Sequence, residues 1–406
     1  MDNGNQKLFT RQFWQLSVAV FLFFASFNMV IPELPNFITQ LGGEEYKGLI
    51  IALFTLAAAI SRPFSGKLAD SIGRVPVMLV GIFMTALCGL LYPLVASLAF
   101  FLFLRFLHGF STGFAPTGSM AYIGDIAPSR RRGEAIGLVS MFGTVGMAIS
   151  PMLGSVIAKY FSIEVMFYVS SAFGVASFLI VRPLTESLST AKKSTLKEVV
   201  SSFTVTVDDF YEPRVLRPAV LLMLASVGFG AVLTVIPDFS LYVGLDDEYK
   251  GVFFAVFTGS SMLTRVYSGK LSDKIGRIKT LRFGFATLVI ALVMLAFAQE
   301  PVLFFTAGVF FGIALGNNSP TVMAWTIDMS EDKYRGRSIA TVFIALEIGI
   351  GGGAMLSAWL YGNNPANFKW AFLGCAALAA LGLALLYREM KAKPLPIATE
   401  NEGDNS

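Results

Sequence analysis

Three carboxylates, Glu33, Asp238 and Glu347, stand in stretches that are otherwise almost wholly apolar. Glu33 lies in IPELPNF and Asp238 in IPDFSLY, each directly after a proline that frees a backbone carbonyl, while Glu347 sits deeper in its run, in TVFIALEIGIGGG. A carboxyl held in such a run is a candidate proton or cation site. The plainer readings are solvated carboxylates at helix mouths for Glu33 and Asp238, and a structural partner for Arg105 or a polar cavity wall for Glu347. Arg105 and His108 share one turn of FLFLRFLHGFSTG, residues 101–113. An arginine in an apolar span costs about 2.5–3.5 kcal/mol on insertion scales, so it must face a polar cavity or bond the carbonyls of another span. His108, the only histidine, is a proton relay or a hydrogen-bonded packing residue. Asn28, Asn317 and Asn318 offer neutral hydrogen-bonding groups to a cavity, and the nearby Phe24, Phe27, Met120 and Trp325 suit an amphipathic organic solute.

No other chemistry is signalled. Cys88 and Cys375 fall in separate apolar runs, without metal spacing or a disulfide framework, and no nucleophile–base pair suggests an enzyme. No cofactor or nucleic acid is expected.

The elements that carry these groups are long. At 406 residues, 55% hydrophobic and only 14% charged, the chain has too little polar surface to cover a soluble globule. It reads as an all-α polytopic membrane protein of about twelve spans, each long enough to cross a hydrocarbon core of about 30 Å. The spans are expected at residues 13–40, 46–69, 75–96, 99–124, 134–159 and 165–185, and again at 215–243, 248–271, 280–299, 302–328, 336–361 and 367–390. Residues 1–185 and 215–390 are then two six-helix bundles, with a central loop at 186–214 and a polar tail at 391–406 expected to be disordered. An amphipathic surface helix is expected at residues 195–203. The first apolar run is too long for a cleaved signal. With the N-terminus inside, 24 of the 31 lysines and arginines fall on the cytoplasmic side, which places both termini and the central loop there.

The chain also repeats. Laying residues 46–74 on 249–277, an offset of 203, gives 15 identities in 29 positions, including Arg62/Arg265, Asp70/Asp273 and Arg74/Arg277. The same offset pairs Asp125 with Asp328. The repeated string, GKLADSIGR at residues 66–74 and GKLSDKIGR at 269–277, joins small residues that let helices approach closely to an acid and a base that form a polar latch.

That string resembles the loop motif between the second and third helices of the major facilitator superfamily, with Gly66, Asp70, Gly73 and Arg74 in the first copy and Gly269, Asp273, Gly276 and Arg277 in the second at the motif positions. Val75 and Ile278 replace its final basic residue. Arg105 and Gly109 match the family's fourth-helix motif in part, with His108 where glutamine is common. Gly137, Gly146, Pro151 and Gly154 resemble the fifth-helix motif of its antiporters, with Ser150 and Ser155 replacing two glycines. The resemblance implies two six-helix bundles about a central cavity, opening alternately to either side. It implies a proton-coupled exporter of a small organic solute, acting as a monomer in the cytoplasmic membrane. Proton-coupled uptake of a sugar or other metabolite, and a receptor that uses the fold without flux, are the other readings. Within this picture Asp70, Asp125, Asp273 and Asp328 join Arg62 and Arg265 in a charge network that holds the outward-facing state and breaks when the inside opens. The fifth-helix motif packs tightly against the other half to limit leakage.

Overall fold

The computed structural model describes residues 9–128, 131–188, 211–330 and 335–389. The helix expected at 195–203 and the tail at 391–406 lie outside them. Each expected span appears as a helix. The first is α1, Arg11–Val30, which passes through a tight turn at Ile31–Glu33 into α2, Leu34–Gln40; Pro32 and Pro35 break the hydrogen-bond ladder there. The rest of the first half is α3 (Lys47–Ser71), α4 (Arg74–Leu91), α5 (Leu98–Ile126), α6 (Arg132–Tyr160) and α7 (Ile163–Val181). The second half is α8 (Leu216–Tyr242), α9 (Val252–Ile275), α10 (Arg277–Phe297), α11 (Pro301–Met329), α12 (Arg335–Tyr361) and α13 (Phe368–Glu389). Eleven of these rods, α1–α2 counting as one, are long and apolar enough to cross a membrane. The other, α9, spans 24 residues and is more polar, since Arg265, Lys270, Asp273 and Lys274 fall in its last turns.

Helix starts are set locally. Thr10, Ser97 and Ser162 each accept a hydrogen bond from the backbone N–H three residues on, at 3.2–3.3 Å. The start of α4 is capped from afar: Glu186 accepts from the N–H of Arg74 and of Val75, both at 3.0 Å. The turns leading into α4 and α10 are the repeated loop, and their Gly73 (φ +112°) and Gly276 (φ +92°) adopt a backbone that side-chain-bearing residues avoid.

Inside each half, packing is by small residues, as expected where no hydrophobic drive separates helix from lipid. A methyl group at Gly109 would come within 2.0 Å of the Phe54 carbonyl oxygen, and one at its repeat equivalent Gly312 within 2.1 Å of that of Phe257. Serines staple the same seams. Ser65 Oγ donates to the Gly113 carbonyl at 2.6 Å, and its equivalent Ser268 to that of Gly316 at 3.1 Å. The same device joins α1 to α7, where Ser26 and Ser170 each donate to the other's carbonyl.

Candidate functional site

The two halves meet crosswise, α3 against α12 and α9 against α6. At the end of the bundle away from the repeated loops, hereafter the far end, the contact is ionic. Lys47 Nζ lies 2.6 Å from Asp238 Oδ2, and Lys250 Nζ lies 3.6 Å from Glu33 Oε2. Each lysine opens the second span of its half and reaches the first span of the other. Both are buried, and Glu33 is too. Lys250 also meets Asp247 at 2.7 Å, and Ser155 Oγ donates to Glu33 Oε1 at 2.9 Å. Two of the expected proton sites are therefore half of a pair of salt bridges across the halves.

Below this clasp the seam is tightly packed. A methyl group at Gly48 would come within 2.9 Å of the Ala358 β-carbon, and one at Gly251 within 2.3 Å of the Met152 backbone nitrogen. Further along α3, Arg62 donates through an Nη2–H to Glu347 Oε1 at 2.6 Å, and its guanidinium lies 4.6 Å from the centre of the Phe343 ring. Glu347 is buried, 6% exposed. The expected network placed Arg62 with the loop aspartates. The structure instead gives it the buried carboxylate of the opposite half, because α12 runs along α3 at this depth.

The loop aspartates form two self-contained groups. Arg74 bonds Asp70 and, at 3.1 Å, Asp125; Arg277 bonds Asp273 and, at 2.8 Å, Asp328. Ser187 Oγ donates to Asp125 at 2.8 Å. Among the described residues each triad ties helices of one half, and Arg265 joins neither.

Arg105 pairs with none of the three carboxylates. Its Nε–H donates to the Ile50 carbonyl at 3.0 Å, its Nη1–H to the Tyr92 hydroxyl at 3.2 Å, and its guanidinium stacks 4.7 Å from the Phe54 ring centre. His108 is held between Thr85 Oγ1 at 2.6 Å and Tyr92 Oη at 3.1 Å. Both side chains thus lock α3, α4 and α5 together, the packing alternative of the sequence reading. The asparagines behave similarly. Asn28 returns its amide to the Phe24 carbonyl at 2.8 Å, Asn317 donates to the Thr280 carbonyl at 2.8 Å, and both Asn317 and Asn318 press on Gly284 of α10. All three are buried in helix packing rather than facing open space.

The fifth-helix motif is also placed differently from expectation. Gly146 and Gly154 pack on α1 of their own half, where methyl groups would approach the Phe21 and Met29 carbonyl oxygens to 2.6 and 2.0 Å, and nothing lies within 4 Å of a methyl at Gly137. The Pro151–Met152 segment of the motif meets the other half, at Gly251. The glycines serve the α1–α6 seam because that crossing brings backbones closest.

Sequence reasoning missed Lys47 and Lys250 as functional groups. Their signal was present, since both are identities of the repeat and both fall outside the cytoplasmic majority of basic residues. The partners that make them informative are 191 and 217 residues away.

The sequence pattern of the Major Facilitator Superfamily matches residues 16–239 and 218–404. Multidrug resistance protein MdtG of Escherichia coli, in strain UMN026 and equally in strain K12 / DH10B, is 26% identical over 394 residues, covering 93% of both chains. Among solved structures, a D-xylose-proton symporter superposes with a TM-score of 0.77 at 15% identity, over 93% of this chain and 96% of the other. The human organic anion transporter MFSD10 (TETRAN) superposes at 0.71 and 16% identity, over 93% and 99%.

Proposed function

The chain belongs to the Major Facilitator Superfamily and is a membrane transporter, and from that premise we propose that it exports a small amphipathic organic solute in exchange for protons. The name of the MdtG relatives supports export. The observation that carries the coupling is the Arg62–Glu347 pair, a buried carboxylate bound across the seam between the halves. Neutralising one member of such a pair leaves the other charge uncompensated, at a cost of about 3–5 kcal/mol, which shifts a two-state equilibrium by about a hundredfold or more. By linkage, the protonation of Glu347 and the orientation of the halves then depend on each other. The distribution of basic residues puts the repeated loops in the cytoplasm, with both termini, and the protein in the cytoplasmic membrane. In this reading the clasped far end is the external gate. One chain suffices for this cycle, which needs no catalytic group and no cofactor.

The test is flux in reconstituted vesicles under an imposed proton gradient. Antiport moves solute against the direction of proton flow, and Glu347→Gln removes the gradient's drive while leaving solute-for-solute exchange. Solute moving with the protons would establish uptake instead, and binding without flux would establish a receptor.

A further inference from the structure

The second span of each half carries the same four residues in one line: Lys47, Gly48, Thr55 and Arg62 in the first, Lys250, Gly251, Thr258 and Arg265 in the second. Seven-residue steps keep Gly48, Thr55 and Arg62, and likewise Gly251, Thr258 and Arg265, on a face that drifts by only about 20° per step. On α3 every member of the line is met by the other half: Lys47 by Asp238, Gly48 by Ala358, Thr55 by Gly351 and Arg62 by Glu347. The second copy begins alike, with Lys250 on Glu33 and Gly251 on the backbone of Pro151 and Met152, and Thr258 is buried. It ends differently. Arg265 is exposed, and so is Gly269 one turn on, although this face is covered at the far end.

The repeat accounts for the lack of a carboxylate partner for Arg265 among the described residues. At the offset of 203, the α6 residue in the place of Glu347 is Thr144. Among the described residues no carboxylate pairs with Arg265. An arginine left without a counter-charge in a spanning helix is costly, which marks such a residue as a binding group for a mobile partner. The guanidinium's fork of N–H donors matches a carboxylate or a similar oxyanion. Further along the same seam, the buried Oγ1 of Thr258 has no hydrogen-bond partner, and Met262, one turn from Arg265, adds apolar surface.

We propose that Arg265 is the anion subsite of the transport pathway, and that the solute is an amphipathic organic anion carrying an acidic group. The inference rests on the export reading for direction only. Arg62, already occupied by Glu347, is its spent twin, and the substitution of Thr144 for an acid in α6 is what makes room for the solute's own charge.

Fluorescein, an amphipathic anion, and rhodamine 123, a cation on the same ring system, separate the possibilities in vesicles containing the full chain. The wild type is expected to export fluorescein against an imposed proton gradient. Arg265→Gln is expected to weaken fluorescein binding, read by anisotropy, about ten- to a hundredfold, with Arg265→Lys retaining most of it. Thr144→Glu, which supplies the missing acid, is expected to reproduce the loss with Arg265 intact, and so guards against a variant that merely fails to fold. Fluorescein export unchanged in Arg265→Gln and Thr144→Glu overturns the subsite, as does gradient-driven export of rhodamine 123 without fluorescein. Fluorescein flux that depends on Arg265 but ignores the proton gradient upholds the subsite and removes antiport instead.

Discussion

Lys47, at the start of α3, holds Asp238 of the opposite half at 2.6 Å, with both side chains largely shielded from solvent and the ammonium 5.7 Å from the centre of the Tyr361 ring. A surface pair of this kind would contribute little, but a shielded one has a large one-sided cost: deleting one partner strands the other charge, at about 3–5 kcal/mol. Asp238→Asn is therefore expected to populate the orientation open at the far end. Spin labels at Leu94→Cys and Val302→Cys, exposed positions flanking that end on opposite halves, would report the separation, and the two native cysteines are buried. The charge-swapped Lys47→Asp/Asp238→Lys protein should restore the short distance. A swap as open as the single variant would show that the pair does not close the gate.

The Arg62–Glu347 pair predicts a different phenotype. Glu347→Gln preserves shape and one hydrogen bond but removes the charge, so exchange of labelled for unlabelled solute is expected to continue while the pH gradient no longer drives accumulation. Arg62→Gln should resemble it, because it also leaves the seam without an ion pair. Gradient-driven transport surviving in Glu347→Gln at the wild-type rate would move the coupling proton elsewhere, Glu33 being the next carboxylate to test.

The span positions, the repeated loop and the two halves were legible because apolar length marks a span and the 203-residue offset exposes the repeat, whereas the positive φ of Gly73 and Gly276 appears only in the structure. The acid–base triads were readable only in part. Asp70 and Arg74 stand four apart, and the repeat flagged Asp125 and Asp328, but nothing in the sequence said that Arg62 would leave that group for Glu347, 285 residues on. Arg105 shows the opposite limit. Its burial could be inferred from the apolar run around it, but its acceptors, the Ile50 carbonyl and the Tyr92 hydroxyl, depend on how three helices cross.

That network makes Arg105 a stability residue. Arg105→Ala would leave the Tyr92 hydroxyl and the Ile50 carbonyl short of a donor and open a void beside Phe54, worth about 2–4 kcal/mol by the usual costs of lost buried bonds and volume. The expected result is a fall of about 2–5 °C in the melting temperature of the purified protein. Affinity for solute should change much less than stability. An unshifted melting temperature with lost transport would return Arg105 to the transport pathway.

Two glycines of the fifth-helix motif should differ sharply. A methyl group at Gly154 meets the Met29 carbonyl oxygen at 2.0 Å, whereas one at Gly137 meets nothing within 4 Å. Gly154→Ala must push α6 off α1, at about 1–3 kcal/mol, and so reduce both folded yield and transport. Gly137→Ala should be neutral or stabilising by up to about 1 kcal/mol through helix propensity. Equal loss of transport in the two variants, at equal folded yield, would show that the motif acts through something other than this seam.

Asp70 tests whether the loop triad is structural or mechanical. Its side chain is 76% exposed, so its bond to Arg74 contributes little to stability. Arg74 also keeps Asp125 at 3.1 Å when Asp70 is lost, and Glu186 still caps the first N–H groups of α4. Asp70→Asn should therefore insert and melt like the wild type. Turnover is nevertheless expected to be abolished if Asp70, exposed in this orientation, gains its main partner when the loop end closes. Measuring flux and melting temperature on the same preparation decides the matter. Wild-type kinetics in Asp70→Asn would reduce the repeated loop to a turn that merely joins two helices, and the closing contact at that end would then have to be sought in the Arg277, Asp273 and Asp328 group of the second half.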